Sequence, residues 1–174
     1  PIATIDYCPA AYTAQLDAEC NEDISTSAAG MATASASDNC DNNVTVDVTY
    51  EDSEPTPTCG AGYTITRTWT AIATDHCDNA DTTTCTQVIT VKDEIDPVIS
   101  CPADMLVECD GAGNASDLAT FLAGASATDN CDTDVEITTD YEDGDLSDGC
   151  GATGTVLVTF TATDDCGNTD SCTA

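Results

Sequence analysis

Residues 63–79 read YTITRTWTAIATDHCDN, and residues 154–168 read GTVLVTFTATDDCGN. In both stretches large or apolar side chains alternate with threonine, and the run ends in an acidic turn that contains a cysteine. Alternation at period two is typical of a β-strand with one buried face. The pattern therefore predicts that Trp69 and Phe160 are the large core residues of two copies of one module. The same phase contains Ile65, Arg67 and Ala71 in the first copy, and Val156, Val158 and Ala162 in the second.

The cysteines repeat together with this strand. Six cysteines of the first half recur in the same order in the second half, about ninety residues later. The flanking residues repeat as well, because CPA occurs at 8–10 and 101–103, and SDNCD at 37–41 corresponds to TDNCD at 128–132. A repeat of this length is one module copied. We therefore expect two domains, residues 1–96 and 97–174, with a linker at about residues 92–97.

The cysteine content indicates the compartment. Twelve cysteines in an even, repeated pattern predict a disulfide framework in an oxidising environment. Structural zinc is the rival interpretation, but there is no Cys-x-x-Cys pair and His76 is the only histidine. The expected location is extracellular or at the cell surface.

The charge balance excludes several partners. Two basic residues against 33 acidic ones give a net charge of −31. Nucleic acid is excluded because neutralising phosphates requires Lys and Arg, and membrane insertion is excluded because no apolar run is long enough. Disorder is disfavoured by the hydrophobic content of 41% and by the cysteines. So much like charge opposes compaction unless salt screens it or divalent cations neutralise it.

Short segments rich in Thr and Val, separated by Asp, Asn and Gly, predict antiparallel β structure with many turns. Residues 44–50 and their copy 135–141 alternate as half-buried strands, and Val88–Lys92 forms a further strand. Helix is nearly absent, with at most a turn or two at Ser116–Leu122. The expected fold class is all-β, with each module an immunoglobulin-like β-sandwich of roughly seven strands.

The stretch at 63–79, followed by TCTQVITVKDEIDPVISCPADMLVECD at 84–110, resembles the tandem hyalin-type (HYR-like), immunoglobulin-like repeats of large bacterial cell-surface adhesins. TATDDCGN at 161–168 fits that pattern more closely. In that family the modules are extracellular, non-catalytic stalk or adhesive units, so the resemblance implies the same role here. The first copy departs from the pattern by inserting Ile72 and Ala73 and by having Asp78 where glycine is usual.

The cysteine pairing follows from the ends of such a sandwich, although six cysteines allow fifteen connectivities. In the second copy, Cys131 and Cys166 lie in the B–C and F–G loops at one end of the sandwich. Cys101 in the first strand and Cys172 in the last strand lie at that same end, which leaves Cys109 and Cys150 at the opposite end. Each module is expected to have three disulfides. The predicted pairs are Cys101–Cys172, Cys109–Cys150 and Cys131–Cys166, and in the first copy Cys8–Cys85, Cys20–Cys59 and Cys40–Cys77.

Carboxylates and amides are concentrated in the B–C and F–G loops and in the linker. Oxygen atoms forced so close together repel one another unless a cation lies between them, and calcium takes six to eight such ligands. A cation at the linker is expected to stiffen the junction of the domains, as between cadherin repeats, with an affinity of about 10⁻⁴–10⁻³ M. The predicted ligands are Asp38, Asn39, Asp41, Asp75, Asp78, Asn79, Asp93, Glu94, Asp96, Asp129, Asn130, Asp132, Asp164, Asp165 and Asn168.

The acidic residues allow two other interpretations. Asp, Asn and Gly are good turn formers with solvated charges, and for any single Asp this interpretation is preferred. Paired carboxylates also serve glycoside hydrolysis, but acids in the turns of two repeated modules do not form one asymmetric cleft. Without a Gly-x-Ser-x-Gly motif or a partner for His76, no enzyme is expected.

Two features outside the loops need an explanation, Arg67 and the end of the second module. Arg67 has the phase of the core, so its stem is expected to pack while its head binds a carboxylate or an aromatic ring. After Cys172 the second module lacks the counterpart of Val88–Lys92, which predicts either a window of a longer repeat array or a strand donated by a neighbour. The segment containing Ile2, Thr4 and Ile5 resembles Ile89–Asp93 and is the predicted donor for a head-to-tail polymer.

The sequence therefore predicts a structural protein: a unit of an extracellular filament or adhesin stalk, stiffened by disulfides and calcium. Its partners are expected to be copies of itself or adjacent repeats of one long chain. The alternatives are a module that binds a ligand such as a surface glycan, and an accessory domain of a secreted enzyme. Eight aromatic residues, several in core phase, leave few for a glycan platform.

Overall fold

A computed structural model describes residues 1–108, 114–142 and 154–174 of the chain. It contains two compact units, Pro1–Asp93 and Glu94–Ala174. The described residues are mostly β, as the alternating pattern predicts. Neither helix in this part of the chain has the length and apolar character needed to cross a bilayer.

The first unit contains seven strands and one four-residue helix. The strands are β1 (Ile2–Tyr7), β2 (Tyr12–Gln15), β3 (Thr33–Ser37), β4 (Thr45–Asp52), β5 (Thr56–Pro57), β6 (Tyr63–Thr74) and β7 (Ala80–Lys92), with α1 (Thr26–Ala29) between β2 and β3. The short helix was not predicted. Ser25 is its N-cap, and the Ser25 hydroxyl accepts a hydrogen bond from the Ala28 amide.

Two sheets build this unit. The larger has the order β2-β7-β6-β4, with β5 also paired to β6, and the smaller joins β1 to β3. All pairs are antiparallel except that of β2 and β7, which is parallel. Strand β1 also contacts β6 and β7, so the small sheet lies against the large one.

The core of the first unit lies on the inner face of β6 and β7. Trp69 is 1% exposed, and Ile89 and Val91 are fully buried, because alternate residues of each strand point inward. The Gln87 side-chain amide donates to the carbonyls of Ala10 and Ala29 at 2.9 and 2.7 Å. A single buried amide thereby satisfies two backbone groups that are far from it in sequence.

The second unit is built from shorter elements. They are β8 (Val98–Ser100), α2 (Ala115–Leu122), β9 (Ser126–Thr128), β10 (Glu136–Thr139), β11 (Thr159–Thr163) and β12 (Thr169–Thr173). Strand β8 pairs with β9, and β10, β11 and β12 form a three-stranded antiparallel sheet. Phe160 is fully buried, as predicted, and its ring lies 5.7 Å from that of Phe121.

The pairing of β1 bears on the predicted strand donor. Ile2, Thr4 and Ile5 pair with Ser37, Ser35 and Ala34 of β3 inside their own unit. Strand β8 makes the same kind of pair with β9 in the second unit. The segment 2–7 is therefore the first strand of its own module and is already engaged there.

Disulfides close both units. Cys8 is bonded to Cys85, and Cys101 to Cys172. Further disulfide-bonded residues are Cys20, Cys59, Cys131 and Cys166. The predicted Cys109–Cys150 pair lies outside the described residues.

The first unit differs from the prediction at Cys40 and Cys77, which are exposed free thiols. The β6–β7 hairpin, which contains Cys77, differs from the β11–β12 hairpin of the second unit. The β6–β7 pairing continues for five residues beyond Trp69, whereas the β11–β12 pairing continues for three residues beyond Phe160. Asp78 also has a φ of 62°, at the place where the second unit has Gly167 with a φ of 86°. The inserted pair and the lost glycine thus change the loop that presents Cys77.

Candidate metal centre

The turn after β9 in the second unit is held by the carboxylate of Asp129. Its Oδ1 accepts hydrogen bonds from the backbone amides of Cys131 and Asp132, both at 2.8 Å. An aspartate that binds amides two and three residues ahead stabilises a tight turn. The TDNCD motif therefore folds locally and leaves Oδ2 of Asp129 outside these bonds.

The β11–β12 turn is organised in the same way around Asp164. Its Oδ1 accepts from the amides of Cys166 and Asn168 at 2.8 Å, and its Oδ2 accepts from Nδ2 of Asn168 at 2.7 Å. Gly167 takes the left-handed conformation in this turn. The turn thereby holds the Asp164 carboxylate in one orientation.

Asp132 joins the two turns. Its Oδ2 accepts a hydrogen bond from the Asp165 amide at 2.9 Å, and its Oδ1 accepts from the Asp134 amide at 2.8 Å. Residues 33 positions apart in sequence are connected by the first of these bonds. The carboxylate of Asp132 thus serves as a structural brace between loops.

Two carboxylates of the second unit converge beside this brace. One oxygen of Asp129 lies within 4.8 Å of one oxygen of Asp164. Asp164 is almost entirely buried. Oδ2 of Asp129 is buried and has no hydrogen-bond partner among the described residues.

The electrostatics of this pair favour a bound cation. At an effective dielectric constant of about 20, two ionised carboxylates about 4.8 Å apart repel by roughly 3–4 kcal/mol. The chain has only Arg67 and Lys92 as basic residues, and Arg67 forms an ion pair with Asp52. A buried acceptor without a donor also carries a desolvation cost. A hard cation relieves both penalties, since carboxylate oxygen is its preferred ligand.

The first unit repeats the turns. Asp38 Oδ1 accepts from the amides of Cys40 and Asp41 at 2.7 and 2.8 Å, and Asp41 Oδ2 accepts from the His76 amide at 2.7 Å. This unit therefore has the same loop framework.

Asp75 is the counterpart of Asp164 in the first unit. Its carboxylate accepts from the amides of Cys77 and Asn79 at 2.9 Å and from Nδ2 of Asn79 at 2.8 Å. The side-chain hydrogen bond from Asn79 is the main reason that the pKa of Asp75 lies below its ordinary value. An open cleft at this end of the unit is lined by Asp38, Cys40, Asp41, Asn43, Asp75, His76, Cys77 and Asn79.

Within the second unit the structure brings two of the fifteen predicted ligands together, Asp129 and Asp164. Glu94, Asp96 and Asp165 are exposed, and Asp93 is buried at the end of the first unit. Asn168 and Asp132 serve the framework, while Asn130 is half-buried in the turn of Asp129. In the first unit Asn39 and Asp78 are exposed.

Comparison with protein-family models and with curated proteins found no match to this chain. The resemblance to hyalin-type repeats therefore remains a prediction that rests on the motifs at 63–79, 84–110 and 161–168. What the chain does is inferred from its own residues and their geometry.

Proposed function

We propose that this chain is a structural unit of an extracellular filament or adhesin stalk, stiffened by disulfides and by calcium. The observation that carries the proposal is the pair of converging carboxylates of Asp129 and Asp164 beside disulfide-bonded loops. Oδ2 of Asp129 is buried there without a hydrogen-bond partner among the described residues. The disulfides indicate an oxidising, extracellular or secreted environment. The other polar groups of these loops form the hydrogen bonds that hold the turns, so they are not available to bind a substrate. The converging carboxylates still require a counter-charge, which a cation supplies.

Each unit is inferred to be an immunoglobulin-like sandwich. In the first unit this is supported by the sheet order β2-β7-β6-β4 with β5, and by the β1–β3 pair lying against it. The Cys8–Cys85 disulfide ties the end of β1 to β7. Repeated modules of this kind suit a stalk, since each one is closed by its own core and joined to the next by a short linker.

Calcium fits the pair better than other common metals. The converging groups are carboxylates, which favour hard cations, whereas zinc prefers cysteine and histidine. Magnesium demands a tight octahedral set, and calcium accepts looser geometry completed by carbonyls and water. Binding by Asp129 and Asp164 would hold the two loops of the second unit together. Copies of the chain, or adjacent repeats, are the proposed partners.

The test is calcium titration by calorimetry together with thermal unfolding in calcium and in EDTA, without reductant. At a free calcium concentration about 100 times the dissociation constant, linkage predicts a stabilisation of about 2.7 kcal/mol. Asp129→Asn should remove this stabilisation, because it replaces the buried Oδ2 with an amide donor. Asp165→Asn is the matched control, since Asp165 is an exposed neighbour outside the pair. Equal melting temperatures of the unaltered chain in calcium and EDTA would exclude calcium from the proposal.

A further inference from the structure

Two stretches of the chain match the acceptor triplet for an N-linked oligosaccharide, which is Asn-x-Ser or Asn-x-Thr with x other than proline. They are Asn43-Val44-Thr45 and Asn114-Ala115-Ser116. A triplet this short also occurs by chance, so the surroundings of each asparagine decide whether it can carry a sugar. The disulfides indicate the oxidising, secreted environment in which this modification takes place.

The first triplet presents its asparagine to solvent. Asn43 is exposed and lies in the loop that precedes strand β4. Its backbone amide donates to Oδ1 of Asp41 at 2.8 Å, which fixes the turn without using the side chain. Within the described ranges, the side-chain amide of Asn43 forms no hydrogen bond with the protein. A sugar on Nδ2 of Asn43 therefore breaks no native hydrogen bond.

The hydroxyl group of this triplet is exposed as well. Thr45 is the first residue of β4, and β4 stands at the end of the strand order β2-β7-β6-β4. Its Oγ1 donates to the Thr74 carbonyl at 3.3 Å, which is long for a hydroxyl donor. The triplet thus occupies the outer strand of its sheet, where a bulky group can extend into solvent.

The second triplet has the opposite surroundings. Asn114 is only 9% exposed, and its Nδ2 donates to the Glu108 carbonyl at 2.7 Å. It also takes the left-handed conformation, with a φ of 55°, at the N-terminus of helix α2. A sugar on this atom would break a buried hydrogen bond and leave the carbonyl without its donor, which carries a desolvation cost. The folded second unit therefore excludes a sugar at Asn114.

The second unit repeats the turn of Asn43 without its triplet. The repeated SDNCD and TDNCD motifs place Asp134 at the position of Asn43, and Glu136 at that of Thr45. Asp134 is exposed, and its backbone amide donates to Oδ1 of Asp132 at 2.8 Å, which is the contact that fixes Asn43 in the first unit. The two turns share their backbone contact and differ in the side chains that the modification requires.

We propose that Asn43 is the acceptor of an N-linked oligosaccharide. The donor is an oligosaccharide carried on a lipid pyrophosphate. Nδ2 of Asn43 forms a bond to C1 of the first sugar while the bond from C1 to the pyrophosphate oxygen breaks. The lipid pyrophosphate leaves with the electron pair, and one amide proton passes to a base of the transferase. This modification goes beyond the proposed structural role and depends on neither calcium nor assembly.

The sequence before each triplet also distinguishes the two sites. Bacterial transferases require an acidic residue two positions before the asparagine. Asp41 meets this requirement for Asn43, whereas Ala112 stands at that position before Asn114. A host whose transferase reads the triplet alone therefore gives the stricter test, because in that host only the fold can exclude Asn114.

The test expresses the whole 174-residue chain behind a cleavable signal sequence in an animal cell, whose transferase reads both triplets. Peptide N-glycosidase converts a glycosylated asparagine to aspartate, and mass spectrometry of the secreted protein then reads each site. Asn43 should be modified and Asn114 should not. Thr45→Val should abolish the modification, since it removes the hydroxyl and keeps a β-branched residue in the strand, while Thr45→Ser should retain it. Ser116→Thr, which gives the second triplet a threonine, should leave Asn114 unmodified.

Moving the triplet to the second unit provides a matched pair of variants. Asp134→Asn with Glu136→Thr should create a new acceptor in the equivalent turn, and Asp134→Asn alone should stay unmodified because it lacks the hydroxyl residue. The proposal is overturned if Asn43 carries no sugar in the secreted chain, or if Asn114 is modified as completely as Asn43. An unmodified double variant would also overturn it, because the exposed turn would then not determine the acceptor.

Discussion

Arg67 and Asp52 form a two-pronged ion pair in the first unit, with Nε 2.7 Å from Oδ1 and Nη2 2.8 Å from Oδ2. The guanidinium also donates to the Ile24 carbonyl at 2.9 Å and lies 4.3 Å from the centre of the Tyr50 ring. Its hydrogen bond to Asp52 raises the pKa of Arg67 above its ordinary value. The sequence prediction for Arg67 is therefore confirmed, since the stem is buried and the charge is paired.

This pair predicts an unequal cost for removing its two partners. Asp52→Ala leaves a buried guanidinium without its carboxylate and should lower the free energy of unfolding by about 3 kcal/mol. Adding Arg67→Met should recover part of that loss, because methionine fills the space without a charge to satisfy. Urea unfolding of the two single variants and the double variant measures this coupling.

Glu51→Ala is the matched control for this cycle. Glu51 is an exposed acid beside Asp52 in β4, and its removal should change the free energy of unfolding by less than about 0.5 kcal/mol. A loss as large as that of Asp52→Ala would show that lower strand stability, and not the loss of the carboxylate paired with buried Arg67, accounts for the effect.

The features that the sequence predicts well are those set by local pattern. Alternation places Trp69 and Phe160 on the buried face, and the repeated motifs predict paired acidic turns in both copies. The parallel pairing of β2 with β7 has no comparable signal, because Tyr12–Gln15 is short and its partner is distant in sequence.

The predicted ligand set was too broad for a physical reason. Aspartates in turns first satisfy nearby backbone amides, and this use removes residues such as Asp132 from the ligand set. Which carboxylate keeps an oxygen for a cation depends on its orientation, as for Oδ2 of Asp129. Residue type and spacing do not determine that orientation.

The thiols of Cys40 and Cys77 give a second prediction. Both are exposed and free, whereas their copies Cys131 and Cys166 are disulfide-bonded. Iodoacetamide added to the native protein without reductant should therefore alkylate Cys40 and Cys77 and leave Cys131 and Cys166 unmodified. Peptide mapping by mass spectrometry reads out each site.

A denatured sample distinguishes a cysteine whose thiol is inaccessible in the folded protein from a cysteine that is disulfide-bonded. Unfolding in guanidinium without reductant should expose no additional thiol among Cys131 and Cys166, because a disulfide does not react with the reagent. A peptide pair that links Cys40 to Cys77 would instead show that the bridge expected from the repeat forms in the first unit.

Asp75 gives a prediction for acidic pH. Its pKa in the folded protein lies below the ordinary value of 3.8, chiefly because Nδ2 of Asn79 donates to its carboxylate. A group with a lowered folded pKa contributes stability that is complete above the ordinary value and is lost as the pH falls through the folded value. Asn79→Ala should therefore reduce stability at pH 5 and make the further loss below pH 3.8 smaller than in the unaltered protein.

Denaturant midpoints between about pH 5 and 2.5 test this linkage without a contribution from metal if the protein is first freed of metal by EDTA at neutral pH and then desalted. Asn42→Ala is the control, since Asn42 is an exposed amide in the facing loop, and its curve should parallel that of the unaltered chain. The carboxylates of Asp17 and Asp140 also have lowered pKa values, because backbone amides of Asn21 and Thr159 donate to them. Because of Asp17 and Asp140, the stability of every variant should keep some dependence on acidic pH. The test is therefore the difference between the curve of Asn79→Ala and that of the unaltered chain. Parallel curves for Asn79→Ala and the unaltered chain would mean that Asp75 contributes no pH-dependent stability.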